Sequence, residues 1–133
     1  MPSPSKVFGY EVRSPYQSEE EFFKRSPHVT GMAAEDGKIV LNPFSTLDDN
    51  ARLSVARNEA ARLFMREKGF QFDFTPDTHQ RKAFAGTEYD GNDHALNSTI
   101  LARAIAGDPS SGKLNQRQQE WVDWLIPQLK ERD

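Results

Sequence analysis

Thr46-Leu-Asp-Asp-Asn-Ala-Arg-Leu-Ser-Val-Ala-Arg-Asn-Glu-Ala-Ala-Arg-Leu-Phe-Met-Arg-Glu-Lys-Gly69 is the stretch on which the fold turns. It predicts a long helix with both ends marked. Thr46 is placed to cap the amide of Asp49, Asp48 and Asp49 sit in a first turn that favours acids, and Gly69 suits a left-handed stop. At about 100° per residue, Leu53, Ala56, Ala60, Leu63 and Phe64 share one side. Leu47, Ala51, Val55, Ala61 and Met65 form a second apolar stripe, and Asp48, Arg52, Glu59, Arg62 and Arg66 make a wet strip. A helix apolar on two sides has to be covered on two sides, which puts it at the centre of the fold.

On its N-terminal side, Val29–Met32 and Lys38–Asn42 flank Glu35-Asp36-Gly37. Asp-Gly between β-prone runs predicts a hairpin, with Lys-Ile-Val-Leu as its better strand. Ser18-Glu-Glu-Glu21 has the form of a capping box opening a short helix through Phe22 and Phe23, stopped before Pro27. Residues 1–17 carry Pro2, Pro4 and Pro15 without periodicity and read as an extended arm, with Val7, Phe8, Tyr10 and Tyr16 to bury against a surface. That surface is the arm's own domain, residues 18–133, or a neighbouring copy.

Beyond Gly69, Phe70, Phe72 and Phe74 alternate with Gln71 and Asp73, an extended segment laying one aromatic face on the core. Thr75-Pro76 predicts a short helix to about Phe84. Asn92 or Asp93 starts another, with Leu96, Ile100, Leu101, Ala104 and Ile105 on one face and Gly107 ending it. Asn115 with Gln118 forms a second box-like start, and Trp121, Trp124, Leu125 and Leu129 make the stripe of the last helix. Pro127 should kink that helix or loosen its final turn.

Composition excludes several functions. The chain has 133 residues, one domain's length, with 36 % apolar residues gathered into periodic segments. A formal net charge of −3 with interspersed signs lacks the basic face that non-specific nucleic-acid binding needs. Cysteine is absent, so there is no disulfide, thiolate zinc site or cysteine nucleophile. No apolar run approaches the roughly 18 residues of a membrane span. The location read from this is cytoplasmic, or a particle assembled in the cytoplasm.

Three strings imitate chemical motifs. Gly107-Asp-Pro-Ser-Ser-Gly-Lys113 has phosphate-loop spacing, but Leu114 replaces the magnesium-binding Ser or Thr and the string follows a helix instead of a strand. Asn58-Glu-Ala-Ala-Arg62 has the shape of the helical zinc-protease pattern with both histidines missing. Asp90, Asn92, Asp93 and His94 crowd a loop, yet Leu101 stands where a calcium loop needs its closing glutamate. His28, His79 and His94 share no ligand spacing. No cofactor, metal site or catalytic set follows from these strings, and the sequence points away from an enzyme.

Arg57 lies between the two apolar stripes, near Asn50 and Lys68, where a guanidinium must reach solvent along its stem or meet a buried carboxylate. Asn58 lies near Leu47, Ala51 and Met65, where its amide needs partners from the hairpin or a loop. Both are candidate buried polar residues. Phe8, Tyr10, Tyr16, Trp121 and Trp124 are candidate interaction residues, because aromatic side chains dominate interface energetics.

Ser26-Pro-His-Val-Thr-Gly-Met32, Ile39-Val-Leu-Asn-Pro-Phe-Ser45, Asn58-Glu-Ala-Ala-Arg62 and Ala104-Ile-Ala-Gly-Asp-Pro-Ser110 resemble stretches of a group of small uncharacterised proteins encoded by tailed bacteriophages. The resemblance covers most of the chain after Ser26 and transfers no activity to any residue. It implies a virion-associated or assembly role.

The sequence therefore predicts an α+β, mostly α domain: a central two-sided helix, a small β-hairpin and peripheral helices. The expected function is that of a non-enzymatic structural or protein-interaction protein, a bacteriophage particle component with a protein partner or a second copy of itself. The alternative is a small enzyme or ligand-binding domain whose polar groups converge only in three dimensions.

Overall fold

A computed structural model describes residues 5–108 and 112–133. Its axis is α2, Asp49–Lys68. The cap is Asp48, whose carboxylate accepts from the Ala51 amide at 2.8 Å, so the helix begins two residues later than a Thr46 cap would allow. Gly69 ends it in the left-handed conformation, at φ 63°. Ala56, Ala60, Ala61, Leu63, Phe64 and Met65 are buried. The helix packs against the sheet on one side and α4, Asp93–Ala106, on the other. The small alanine side chains let both neighbours approach closely.

The sheet has four strands, β1 (Lys6–Val7), β2 (Tyr10–Arg13), β3 (Gly31–Ala33) and β4 (Ile39–Leu41), in the order β1-β2-β4-β3. β3 and β4 form the expected hairpin around Asp36-Gly37, in the register Gly31↔Leu41 and Ala33↔Ile39. All of β4 is buried, which accounts for its unbroken apolar run. The N-terminal segment is more structured than an extended arm. Phe8 and Gly9 both have positive φ, 51° and 77°, and form a two-residue turn that folds β1 back on β2. β2 then runs parallel to β4, Val12 opposite Ile39, so this hairpin and the Asp36-Gly37 hairpin share one sheet.

α1, Gln17–Arg25, starts two residues earlier than the Ser18–Glu21 pattern suggests. Glu19 accepts from the Tyr16 amide at 2.8 Å and is clamped by Arg13 at 2.7 and 3.0 Å, which holds its carboxyl below the ordinary glutamate range. Phe23 is fully buried under the sheet. Residues 70–74 form no strand but carry three phenylalanine rings onto α5, Gln116–Glu131. α3, Thr78–Ala83, begins after Asp77, not at Thr75-Pro76, because the Gln80 side chain accepts from the Asp77 amide at 2.8 Å. Gln80 and Gln118 exchange two 2.7 Å amide bonds in the core. Asn92 caps α4 and Gly107 ends it, both as expected. α5 opens on the Asn115–Gln118 box and continues through Pro127. Its buried stripe is Val122, Leu125 and Leu129, which leaves Trp124 one position off the core. Among the described residues no helix is long and apolar enough to cross a membrane.

Candidate functional site: a polar cleft and an aromatic face

Two of the five residues of the supposed wet strip of α2, Glu59 and Arg62, face the interior of a cleft of about 740 Å³. One wall is the chain from Ser26 to Gly31 and the floor is Ser54, Val55, Asn58, Glu59 and Arg62. Residues 87–89, Arg103 and Asp108 close the far side. Gly31 is required here: a Cβ on it would lie 2.8 Å from Val55 Cγ1, so only glycine lets β3 approach α2 this closely.

Two side chains of α2 fasten the walls. Arg62 donates through Nε to Asn58 Oδ1 at 2.8 Å and through Nη2 to Thr99 Oγ1 at 3.2 Å and the Tyr89 hydroxyl at 3.5 Å. Its guanidinium lies 5.5 Å from the Tyr89 ring centroid. The bland outer arginine of the helical wheel is thus a three-way tie between α2, α4 and the 87–89 loop. Glu59 reaches in the other direction, to the backbone amide of Ala33 on β3. Burial pushes its carboxyl above the ordinary glutamate range, against the pull of Arg62, that amide and Arg66. It forms no ion pair within 4.0 Å among the described residues.

The register of the hairpin explains why a carboxylate is needed at that point. Asn42 donates to the Thr30 carbonyl and Ala34 to the Lys38 carbonyl, each at 2.9 Å. In an antiparallel pair the intervening residues, Gly31 and Ala33, therefore turn their backbone groups away from β4, toward the open edge. Glu59 covers the Ala33 amide on that edge, while Arg66 donates at 3.5 Å to the Ala34 carbonyl, which lies in the hairpin turn and also accepts from the Gly37 amide. Helix α2 thereby blunts part of a strand edge that would otherwise offer itself for pairing.

The aromatic face lies on α5. Trp121 touches Phe70, Phe72 and Phe74 with centroids 5.2–6.3 Å apart, and its indole N–H donates to Asp73 at 2.9 Å. Trp124 stands edge-on to Phe70 and Trp121, 5.4 and 5.6 Å away, yet is 52 % exposed. A hollow of about 430 Å³ beside the two indoles is rimmed by Arg117 and Glu120. Arg117 pairs with both Asp73 and Glu120, and the guanidinium, with the Trp121 N–H, draws the Asp73 carboxyl down to about 2.

The other sequence candidates separate by burial. Phe8 and Tyr10 lie in the core. Arg132 donates to the Phe8 carbonyl at 2.9 Å and stacks 4.2 Å from the Tyr10 centroid. The Tyr10 hydroxyl donates to Glu67 at 2.9 Å, and burial together with that carboxylate pushes the phenol up to about 12. Tyr16 is 60 % exposed, covered on one face by the Arg13 guanidinium at 4.0 Å. Arg57 is exposed, not held between covered stripes. Ala61 and Phe64, farther along the same seam, are buried, so the cover reaches only the C-terminal half of that side of α2. Asn58 is half-buried and finds its partner one turn along its own helix, in Arg62.

Of the loop residues, Asp90 accepts from the Gly86 amide at 3.0 Å, Asp93 pairs with Arg81 at 2.6 Å, and His94 stacks on Phe72. Among the described residues no group of three or more histidine or acidic side chains is arranged to hold a metal ion. The phosphate-loop-like string falls partly on residues 109–111, outside the described residues. Compared with family models, curated proteins and solved structures, the chain matches none.

Proposed function

We propose that this is a non-enzymatic interaction protein that docks a protein partner through the aromatic face of α5. The observation that supports this most is Trp124, half exposed above a packed cluster of rings and bordered by Arg117 and Glu120. An apolar aromatic centre with a charged rim is the usual anatomy of a protein interface, and tryptophan is the residue most often dominant in one. The rings beneath it are fixed by the core, so little side-chain freedom is lost on docking. The resemblance of the chain after Ser26 to small tailed-phage proteins gives the assembly its setting: a bacteriophage particle. Trp124→Ser tests this. The wild-type protein should sediment with purified particles and the variant should not, with melting temperatures within about 2 °C of each other, as for a surface change. Equal sedimentation of both forms, or absence of the wild type from particles, would refute it.

A second reading, a ligand-binding domain, is favoured by the cleft. It has the size of small-ligand sites, and Glu59 sits in its floor without an ion pair among the described residues. Three of the four stretches that carry the phage resemblance, around Ser26–Gly31, Asn58–Arg62 and Asp108, meet at this one place.

A further inference from the structure

The cleft is lined by three carboxylates, Glu59, Glu88 and Asp108, against two guanidiniums, Arg62 and Arg103. The Glu59 carboxylate faces the Ala33 amide, with an oxygen pair that can accept several bonds. Its neighbouring cation Arg62 is spent on Asn58, Thr99 and Tyr89. Glu88, on the opposite wall, is exposed and forms no ion pair among the described residues. Between them runs the outer edge of β3, where Gly31 turns its amide and carbonyl away from β4 and bonds neither to another described residue. A half-buried carboxylate short of a counter-charge, beside an unpaired stretch of strand edge, matches one class of occupant on both counts.

We propose that the cleft binds an extended peptide segment of a protein partner, which adds to the edge of β3 at Gly31 and places a lysine or arginine side chain between Glu59 and Glu88. Strand addition supplies main-chain hydrogen bonds and leaves alternate side chains to be read by flanking pockets. The cation relieves the desolvated carboxylate and meets the Tyr89 ring on the same wall. This rests on the cleft reading, not on the Trp124 face.

The test is a titration of the ¹⁵N-labelled protein, followed by amide shifts, with three probes: blocked Thr-Lys-Thr tripeptide, its Thr-Glu-Thr counterpart, and n-butylammonium. The lysine peptide should shift Gly31, Ala33 and Glu59 saturably at millimolar concentration, at least tenfold more tightly than either other probe. Glu59→Gln should weaken it at least tenfold, and Glu88→Gln, on an exposed loop, should weaken it about threefold with an otherwise unchanged spectrum. Trp124→Ser should leave it unaltered. Equal binding of butylammonium would overturn the strand addition and leave a bare cation site. Tighter binding of the glutamate peptide would overturn the cation assignment, and no shift at the cleft with any probe would overturn the ligand-binding reading as well.

Discussion

Tyr10 links a buried phenol to an exposed carboxylate, and its consequence is a pH dependence. Its folded value of about 12 lies above the ordinary tyrosine value of about 10. A raised value means that the stabilising contribution is fully present below pH ~10 and is lost as the unfolded chain ionises between pH ~10 and ~12. Stability should therefore fall by about 2–3 kcal/mol across that window, and Tyr10→Phe should flatten this part of the profile in denaturant melts. Leu63→Ala and Ile100→Ala, both fully buried, should each cost roughly 2–5 kcal/mol, whereas Arg57→Ala on the exposed seam should stay within about 0.5 kcal/mol. Individual residues also show where sequence reasoning stops. The apolar assignment of Ala56, Ala60, Leu63, Phe64 and Met65 needed only a 3.6-residue period. Glu59 and Arg62 fall on the polar side of the same wheel, and nothing local says that a strand edge and a loop stand opposite them.

Elements with a local signature were legible: the Asp36-Gly37 hairpin, the stop at Gly69, the Asn115–Gln118 start of α5. The β1–β2 hairpin was not, because Phe8-Gly9 lacks the Asn-Gly or Asp-Gly pair that usually marks such a turn. Here the turn is enforced from outside. A Cβ on Gly9 would lie 2.6 Å from the Arg132 carbonyl oxygen, and the Gly9 amide donates to the Asp133 side chain at 3.0 Å. Gly37 has the same φ of 77° and nothing within 4 Å of its would-be Cβ, which makes it the matched control. Gly37→Ala should cost about 1 kcal/mol for the left-handed backbone alone, and Gly9→Ala about 2–4 kcal/mol once crowding of the backbone is added, read as a difference in denaturation midpoint. The capping shifts at Asp48 and Asp77 have the same lesson: where several capping residues stand in a row, geometry chooses among them.

For the whole molecule, the decisive long-range fact is that β2 lies beside β4. Residues 5–13 supply Val7, Phe8 and Tyr10 to the main core. Deleting residues 1–13 should therefore lower the melting temperature by at least 10 °C without changing the mass by light scattering. A lost assembly with an unchanged melt would show instead that the segment serves a neighbour. The cleft was illegible for the same topological reason, since its walls come from four separated stretches, residues 26–31, 54–62, 87–89 and 103–108.

The bonds from Arg132 to Phe8 and from Gly9 to Asp133 each span 124 positions, and this bears on how the chain is made. Synthesis delivers β1 and β2 well before the residues that clasp them. β4 is made early, but until Arg132 emerges the Phe8 carbonyl and the Tyr10 ring lack the guanidinium that covers them, so the hairpin waits partly uncovered while the intervening chain is synthesised. Closure over so long a loop is slow compared with the local formation of α2 or α5. The β1–β2 hairpin is accordingly a part of the chain that stays open to chaperones while its cover is being made.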